Sequence, residues 1–438
     1  MSVTTLQPKA SKQNIVEISG PRIKLSRLVG SHLVDSQGDK LGKVKDIVVR
    51  PGGETHPPIA GIVGQIGHRE LFIPIERVRE IKESRVELAR DSVNLKQFER
   101  RPGELLLARD VAGRHLIHLS KARLLKARDI EMGHYGQGYV LLGAEPVASS
   151  PIGYLYRKLT KRKRTGNTLI DWSDVEPFVG HVPTARLRLP YRALARLRPA
   201  QIADLVEAAS HEEGEEIIEA VGHDRDLEAD VFEELDPEHQ REFMESKSEI
   251  EAARVLSRMA PDDAADLIAD LDQDQRLPLL EALPADQRDK VRNLLHYHPE
   301  TAGGLMNPDF LQAKAHDTVG TVLDMIRNSD LSPEVLSYVY IADEDGILTG
   351  MLPLVSVLQA EQESLLGDSS EQEPVTILPD GDVGMILHTM SDFNLQALPV
   401  VDESQKLIGV VTFDDVLELL LNSASLRRNL GLPAADDH

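Results

Sequence analysis

The sequence predicts a multidomain α+β protein with N-terminal β-barrels, an all-α superhelical middle part and a C-terminal α/β pair. Its 438 residues are enough for about three domains of ordinary size. Charge is strongly segregated, since residues 201–300 carry 29 acidic and 9 basic side chains, a net of −20 out of −23. Separate internal repeats occupy residues 24–155 and 302–425. We therefore expect several cores rather than one.

The composition narrows the classes of function. A formal charge of −23 disfavours nucleic acid as a partner of the whole molecule and favours cations. The absence of cysteine excludes disulfides, thiolate metal sites and cysteine nucleophiles, and it agrees with a reducing compartment. The sequence contains no run of about 20 apolar residues and no secretory leader. We therefore expect a cytoplasmic protein without a transmembrane segment.

The common catalytic motifs are also missing from the sequence. It contains no GxSxG, GxxxxGK[ST], HExxH or GxGxxG pattern, and its 15 histidines are scattered. We therefore predict that the protein is not an enzyme.

Residues 24–155 contain the first internal repeat, in which residues 28–47 align with residues 111–130 at an offset of 83. The identical pairs include Gly30/Gly113, His32/His115, Leu33/Leu116, Lys43/Lys126 and Asp46/Asp129. These pairs are too many for chance. The equivalent positions of the two histidines favour a structural role over metal ligation.

Short runs with β-branched residues predict that each copy of this repeat is a small, strongly bent sheet. In the first copy they lie at residues 44–49, 59–63 and 71–75. The opening pattern, hhGxxV/LxDxxGxxhGxVxDh with h apolar, resembles the PRC-barrel family. The resemblance implies docking modules on protein or ribonucleoprotein surfaces, at 24–98 and 104–156. The second module is divergent, since Leu125 stands where the first has Gly42.

A basic stretch separates the repeat from the acidic region. Residues 155–200 carry 11 basic and 3 acidic side chains. We predict a basic linker at 157–185. It is either a solvated connector or a dock for an acidic neighbour, anionic lipid or RNA.

Residues 186–300 predict a stack of short helices. A hydrophobic residue, a turn and a proline repeatedly precede acidic or polar residues, at 197–202, 235–240, 259–264 and 283–288. Proline fits the first helical position, and carboxylates in the first turn oppose the positive end of the helix dipole. We therefore predict helices that begin at these prolines and stack through one apolar face into a superhelix.

The other face of this region gathers carboxylates. A helix that begins at Pro261 places Asp262, Asp266 and Asp270 at i, i+4 and i+8, with Asp263 beside them. Like charges at this spacing destabilise a helix slightly, so the strip is either simply solvated or neutralised by a bound cation. Carboxylate oxygens suit Mg²⁺ or Ca²⁺, and the absence of an EF-hand loop disfavours Ca²⁺.

Two motifs carry a more specific resemblance. Residues 259–268 (MAPDDAADLI) and 299–308 (PETAGGLMNP) resemble the cytosolic part of MgtE-type magnesium channels, where a helical N domain joins a pair of CBS domains. The resemblance runs from about residue 190 to 425 and implies an N domain at 186–300. It also implies that acidic side chains of both modules hold Mg²⁺ between them and lock a closed gate when the ion is plentiful.

By their positions in these motifs, Asp262 and Asp266 match two N-domain ligands, and Asp230 falls where a third is expected. The membrane pore that follows the CBS pair in the family does not appear before the sequence ends at His438. We therefore expect that this polypeptide does not itself conduct ions.

Residues 302–425 contain the second internal repeat, in which a helix precedes two strands joined by an acidic turn. Residues 337–352 correspond to residues 396–411. This order matches the CBS plan, a β-α-β-β-α unit that pairs with a second copy about a pseudo-twofold axis. The predicted CBS domains are 301–364 and 372–425, and their predicted helices include Val319–Arg327, Val383–Ser391 and Val416–Leu421.

The CBS resemblance also implies a nucleotide half-site. In CBS domains the motif GhhT/SxxD offers a hydroxyl to phosphate and a carboxylate to ribose. The second copy keeps Thr412 and Asp415, whereas the first has Pro353 and Ser356. The resemblance thus implies at most one half-site, for ATP or another adenine nucleotide. In the alternative, Asp415 only begins the following helix.

These resemblances therefore imply a Mg²⁺-responsive regulatory protein, for which an adenine nucleotide is an open second ligand. Asp382 and Asp402 are candidate CBS-side partners for the ion, although Asp402 equally fits an Asx-type turn. Expected partners are a second copy of the chain, through the CBS pair, and a separate membrane transporter or protein complex, through the PRC barrels. Two alternatives remain open, namely an adaptor that binds RNA or the ribosome through the basic residues 157–164, and a scaffold without a ligand.

Overall fold

A computed structural model describes residues 22–51, 54–82, 84–89, 97–135, 138–147, 169–178, 194–369 and 373–422. The chain divides into two compact units, Met1–Leu227 and Glu228–His438. Of the predicted basic linker, residues 157–168 and 179–185 lie outside the described residues.

The first copy of the N-terminal repeat forms a mostly antiparallel sheet. The elements of this part of the chain are β1 (Ile23–Lys24), α1 (Leu25–Leu28), β2 (His32–Val34), β3 (Lys40–Val49), β4 (Ile59–Ile66), β5 (Arg69–Pro74), β6 (Val78–Lys82), β7 (Arg85–Leu88) and β8 (Leu105–Leu106). All of these strands except β1 belong to this sheet. The order is β5-β4-β3-β2-β7-β6, and β8 pairs with β3. Leu71 and Ile73 on β5 are buried and alternate with less buried neighbours, the pattern of a strand with one face on a core.

The second copy forms a sheet with the order β12-β11-β10-β9-β13, to which β1 also pairs through β10. The strands are β9 (His115–His118), β10 (Arg123–Tyr135), β11 (Gly138–Pro146), β12 (Ile170–Asp171) and β13 (Val175–Pro177). The last two strands lie inside the interval that the sequence predicts as a linker, and they extend opposite edges of this sheet. Short helical turns occur at Ile75–Arg77, Leu107–Val111, Leu119–Lys121, Trp172–Asp174 and Leu194–Arg196.

One hydrophobic core serves both sheets. It contains Ile47 and Ile62 from the first copy, Ile130 and Leu141 from the second, and Trp172, the only tryptophan of the chain. All of these side chains are buried. The two copies therefore exclude water together, which accounts for most of the stabilisation available to small sheets of this size.

The acidic region is helical, as predicted. Its helices are α2 (Pro199–Glu207), α3 (His211–Val221), α4 (Arg225–Glu233), α5 (Pro237–Glu245), α6 (Glu249–Leu256), α7 (Pro261–Asp270), α8 (Gln273–Ala282) and α9 (Ala285–Leu294). Three of them begin at the predicted prolines, and Pro284 is the N-cap of α9. In the first unit, His115 Nδ1 lies 3.2 Å from both carboxylate oxygens of Glu213 on α3. This contact gives His115 the structural role that its place in the repeat favours.

The second unit ends in two related α/β copies. The first contains β14 (Gln312–Lys314), α10 (Val319–Arg327), β15 (Tyr338–Ala342), β16 (Leu348–Pro353), α11 (Leu354–Gln359) and α12 (Leu366–Ser369), with a helical turn at Val335–Ser337. The second contains α13 (Val383–Phe393), β17 (Ala397–Val401), β18 (Leu407–Thr412) and α14 (Phe413–Asn422). In each copy an antiparallel strand pair gains a parallel neighbour, β14 beside β15 and an isolated bridge from Ile377 to Val400.

The two α/β copies share a core in which Tyr338, Tyr340 and Leu348 pack with Ala397 and Val410. Within the described ranges, the helices are too short or too polar to cross a lipid bilayer.

Candidate functional site

Helix α7 turns part of its acidic strip toward the protein interior. Ala264 and Leu267 are buried, as the apolar period predicts. Asp262 is buried as well, with 8% of its surface exposed. Asp263 is half-buried, whereas Asp266 and Asp270 are exposed. The strip is therefore not the uniformly outward face that the sequence predicts, because packing around its first turn encloses Asp262.

Glu233, the last residue of α4, reaches the start of α7. Its Oε1 accepts a hydrogen bond of 2.6 Å from the backbone N–H of Ala260. Ala260 is the N-cap of α7, and its backbone N–H is one of the donors that a helix start leaves without an intrahelical partner, so the carboxylate of Glu233 satisfies that donor. Burial raises the pKa of Glu233 to about 7, and Asp230, one turn earlier on α4, raises it further. The predicted ligand Asp230 thus lies at the edge of this group.

Thr412 and Asp415 lie at the start of α14 and bond to each other. The backbone N–H of Thr412 donates to Asp415 Oδ2 at 3.2 Å, and the backbone N–H of Asp415 donates to Thr412 Oγ1 at 3.3 Å. This reciprocal pattern is a capping box. Both predicted nucleotide-binding residues therefore serve the helix start, as the local alternative expects, and nucleotide binding stays a prediction.

Carboxylates from α4, α7 and α14 influence one another in one acidic cluster. We define the acidic cluster as Glu233, Asp262, Asp263, Asp266, Asp415 and Glu418. Burial raises the pKa of Asp262 well above its ordinary value, and Asp415 raises it further. The pKa of Asp263 is raised in the same way, by burial first and then by Asp262. The helical region and the second α/β copy thus meet here through like charges.

The remaining members of the acidic cluster show the same direction. Although the side chain of Asp266 reaches solvent, surrounding protein atoms desolvate it, and together with Asp270 they raise its pKa to about 7. Burial raises the pKa of Asp415 to about 6, against the opposing hydrogen bonds from Thr412. Burial also raises the pKa of Glu418. Among the described residues, the leading influences on these six pKa values include no lysine, arginine or histidine.

One oxygen of the acidic cluster lacks a partner. Asp262 Oδ1 is buried and has no hydrogen-bond partner among the described residues. Buried polar atoms are nearly always satisfied, so this carboxylate oxygen is the atom on which a cation site here would depend. Three or more side chains arranged to hold a metal directly are not found in the described part of the chain. Since Mg²⁺ typically touches one or two carboxylates and keeps several waters, this arrangement still suits Mg²⁺.

The two other predicted ligands have local backbone roles. Asp382 is the N-cap of α13 and accepts a hydrogen bond of 2.8 Å from the backbone N–H of Met385. Asp402 accepts hydrogen bonds of 2.8 and 2.9 Å from the backbone two and four residues further on, as an Asx-type turn does. Neither residue is a leading influence on the acidic cluster, and their role as cation ligands stays a prediction.

Sequence reasoning missed Glu233 and Glu418. Each follows a singled-out residue at i+3 on the same helix, Asp230 in one case and Asp415 in the other. Residues three apart share a helix face, so this spacing could have identified both.

The segment between α9 and β14 fixes the helical region against the second α/β copy. The backbone N–H groups of Ala302 and Gly303 donate to the carbonyls of residues 381 and 379 at 2.8 Å. Asn307 and Val410 exchange two backbone hydrogen bonds of 2.8 and 2.9 Å. This segment, which follows α9 directly, therefore links the helical region to the second α/β copy by backbone hydrogen bonds.

Comparison with known protein families identifies three kinds of domain in this chain. Residues 21–95 match the PRC-barrel domain, residues 197–300 match the MgtE intracellular N domain, and residues 302–363 and 369–422 match the CBS domain. The acidic cluster therefore joins the part that matches the MgtE intracellular N domain to the part that matches the CBS domain.

Individual relatives agree with these matches. The magnesium transporter MgtE of Thermus thermophilus is 32% identical over 232 residues, which are 47% of this chain and 51% of that protein. The chain spans about half or less of the length of the curated relatives that it matches. The cytosolic domain of the Mg²⁺ channel MgtE in complex with ATP is 28% identical, with a TM-score of 0.50, and the match covers 52% of this chain and 93% of that structure. The soluble part of a magnesium transporter, 24% identical with a TM-score of 0.50 over 54% of this chain and 92% of that one, shares the fold.

Proposed function

Because an MgtE intracellular N domain runs directly into a CBS pair here, we propose that the protein is a Mg²⁺-responsive regulatory protein. Mg²⁺ is the ligand that it senses, and the acidic cluster is where the ion binds. We further propose that it acts in the cytoplasm as a regulator and neither conducts ions nor catalyses a reaction.

The observation that carries this proposal is the crowding of carboxylates in the acidic cluster. The six carboxylates influence one another's pKa values, which are all raised, and Asp262 Oδ1 is buried without a hydrogen-bond partner among the described residues. Ionised carboxylates in such a place repel one another and have lost hydration. A divalent cation offsets both costs at once. We call the arrangement in which α7 lies beside α14 the closed arrangement. It is therefore favoured when the ion is present.

We propose parts for four residues of the acidic cluster in this response. Asp262 and Asp266 would face the ion from α7, and Asp415 would face it from α14. Glu233 would position α7, because it bonds to the backbone of Ala260 at the N-terminus of that helix. When bound, Mg²⁺ supplies positive charge that these side chains share across the two modules. Without it, repulsion separates α7 from α14, and the ion shifts the equilibrium only because it binds the closed form better.

Calorimetry and a distance measurement test the proposal together. The chain has no cysteine, so Gln273→Cys and Asp392→Cys, at exposed positions on α8 and α13, provide two unique spin-label sites. We expect saturable Mg²⁺ binding to the full chain, and a label distance that shortens and narrows from chelator to excess Mg²⁺. An identical distance distribution in both conditions would contradict the proposal.

We also propose that the second CBS copy holds a half-site for ATP or another adenine nucleotide, built on Thr412 and Asp415. The relative solved with ATP supports this proposal. Titration of the full chain with ATP is expected to show one site per chain, weakened about tenfold or more by Thr412→Ala, since a hydrogen bond to phosphate is lost. Ser356→Ala, at the place in the first copy that corresponds to Asp415, is the control and should leave the affinity unchanged. Equal loss in both variants, or no binding, would refute the half-site.

The partners belong to the same proposal. We propose that two copies of the chain associate through the CBS pair, and that the PRC barrels dock on a separate membrane transporter or protein complex. The alternative of an RNA or ribosome adaptor depends on the basic residues 157–164, which lie outside the described residues, and we do not adopt it.

A further inference from the structure

The two copies of the N-terminal repeat have the same glycine turn before their long strands. Gly30 and Gly113 both have positive φ, +85° and +76°, a conformation that favours glycine. Their N–H groups donate to equivalent carbonyls, those of Val44 and Ala127, at 2.8 and 2.9 Å. The turn that leads into each long strand is therefore the same in both copies.

The segments that precede these turns pair with strands of the opposite copy. We call residues 23–28 the first lead-in and residues 105–111 the second lead-in. In the first lead-in, β1 pairs with β10 of the second copy, with Lys24 opposite Glu131. In the second lead-in, β8 pairs with β3 of the first copy, with Leu105 opposite Val49. Each long strand thus receives the lead-in of the other copy.

Two buried aspartates at equivalent positions hold the exchanged lead-ins. Asp129 accepts hydrogen bonds from the backbone N–H of Ser26 at 3.0 Å and from its hydroxyl at 2.5 Å. Asp46 accepts hydrogen bonds from the backbone N–H groups of Ala108 at 2.7 Å and Arg109 at 3.1 Å. Ser26 and Arg109 are themselves separated by the repeat offset of 83. Each aspartate therefore caps the helical turn that leads into the other copy.

From this reciprocity we infer that the repeat is an exchanged pair within one chain, in which each copy completes the sheet of the other and both fold as a single docking module. The shared core across both sheets agrees with this assignment. Burial raises the pKa of Asp46 to about 6, a cost that a structure tolerates where the carboxylate has a specific partner. The inference is independent of Mg²⁺ and of the acidic cluster.

A disulfide tests the exchange directly in the full chain. Directly opposite residues of an antiparallel pair lie within disulfide reach, so Lys24→Cys/Glu131→Cys should crosslink within one chain upon mild oxidation. The matched control is Lys24→Cys/Val48→Cys, because Val48 occupies in the first copy the place that Glu131 occupies in the second. It should remain reduced. Crosslinked dimers, no crosslink in the first variant, or equal crosslinking in the control would overturn the inference.

Hydrogen exchange provides a second test, because a substitution in one copy should change amide exchange in the lead-in of the other copy. Asp129→Ala should speed amide exchange about tenfold or more at residues 26–28, in the first copy. Asp46→Ala should do the same at residues 108–111, before the second copy. The milder Asp129→Asn and Asp46→Asn variants serve where alanine prevents folding. Faster exchange only within the mutated copy would overturn the inference.

Discussion

The variant Asp262→Asn/Asp266→Asn is expected to adopt the closed arrangement of the second unit even in chelator and to bind Mg²⁺ at least about tenfold more weakly than the wild type. Asparagine keeps the size of aspartate and removes its charge. Burial and like charges raise the pKa values of both residues, so ionisation costs the closed form free energy. Substitution removes that cost permanently, whereas Mg²⁺ removes it only while bound. Calorimetry gives the affinity, and the spin-label distance between residues 273 and 392 gives the arrangement.

Asp274→Asn is the matched control for this variant. Asp274 is an exposed carboxylate on α8, in the same helical domain. Its substitution by asparagine removes one negative charge at a residue outside the acidic cluster. It should retain the Mg²⁺ affinity and distance change of the wild type. If the double variant also retained both, the acidic cluster would not be the Mg²⁺ site.

The helix starts could be predicted from the sequence because their cause is local. Proline at the first helical position, with acidic residues after it, determines where a helix can begin whatever packs on it later. The predicted starts at Pro199, Pro237 and Pro261 are accordingly confirmed. The helix Val319–Arg327 is also found with the predicted ends, since Thr318 caps it with its own side chain.

The environment of Asp262 could not be predicted in the same way. Helical spacing shows which residues share a face of α7, but burial of Asp262 depends on segments distant in sequence. Glu233 is 29 residues earlier and Asp415 is 153 residues later. A local pattern therefore finds the carboxylates of α7, and only the tertiary structure shows that α14 adds negative charge to them.

The N-terminal repeat shows the same limit. Alignment at an offset of 83 shows that Asp46 and Asp129 are equivalent, but it does not show on which copy each lead-in packs. Strands β12 and β13 were not predicted, because strands of two or three residues are too short to show the alternation of apolar and polar residues. The basic residues around them favoured a linker instead.

The variant Gly304→Ala is expected to destabilise the second unit by about 1–3 kcal/mol and to broaden the spin-label distance even in excess Mg²⁺. A Cβ at Gly304 would lie 2.3 Å from the carbonyl oxygen of His298 and 2.8 Å from the Cα of Pro299. Both are backbone atoms, so no side chain can move aside and the segment itself has to shift. This segment carries Ala302 and Gly303, whose hydrogen bonds fix the helical region against the second α/β copy. Denaturant unfolding and the label distance measure the two effects.

Gly138→Ala is the control for this substitution, because no atom lies within 4 Å of the added Cβ. It should leave both the stability of the second unit and the label distance unchanged. A shift at Gly304 breaks the geometry that brings α7 to α14, whereas charge removal at Asp262 and Asp266 leaves that geometry in place. The two variants should therefore have opposite effects in chelator, with the charge variant closed and the glycine variant open. If Gly304→Ala closed normally with Mg²⁺, the acidic cluster would assemble without this segment.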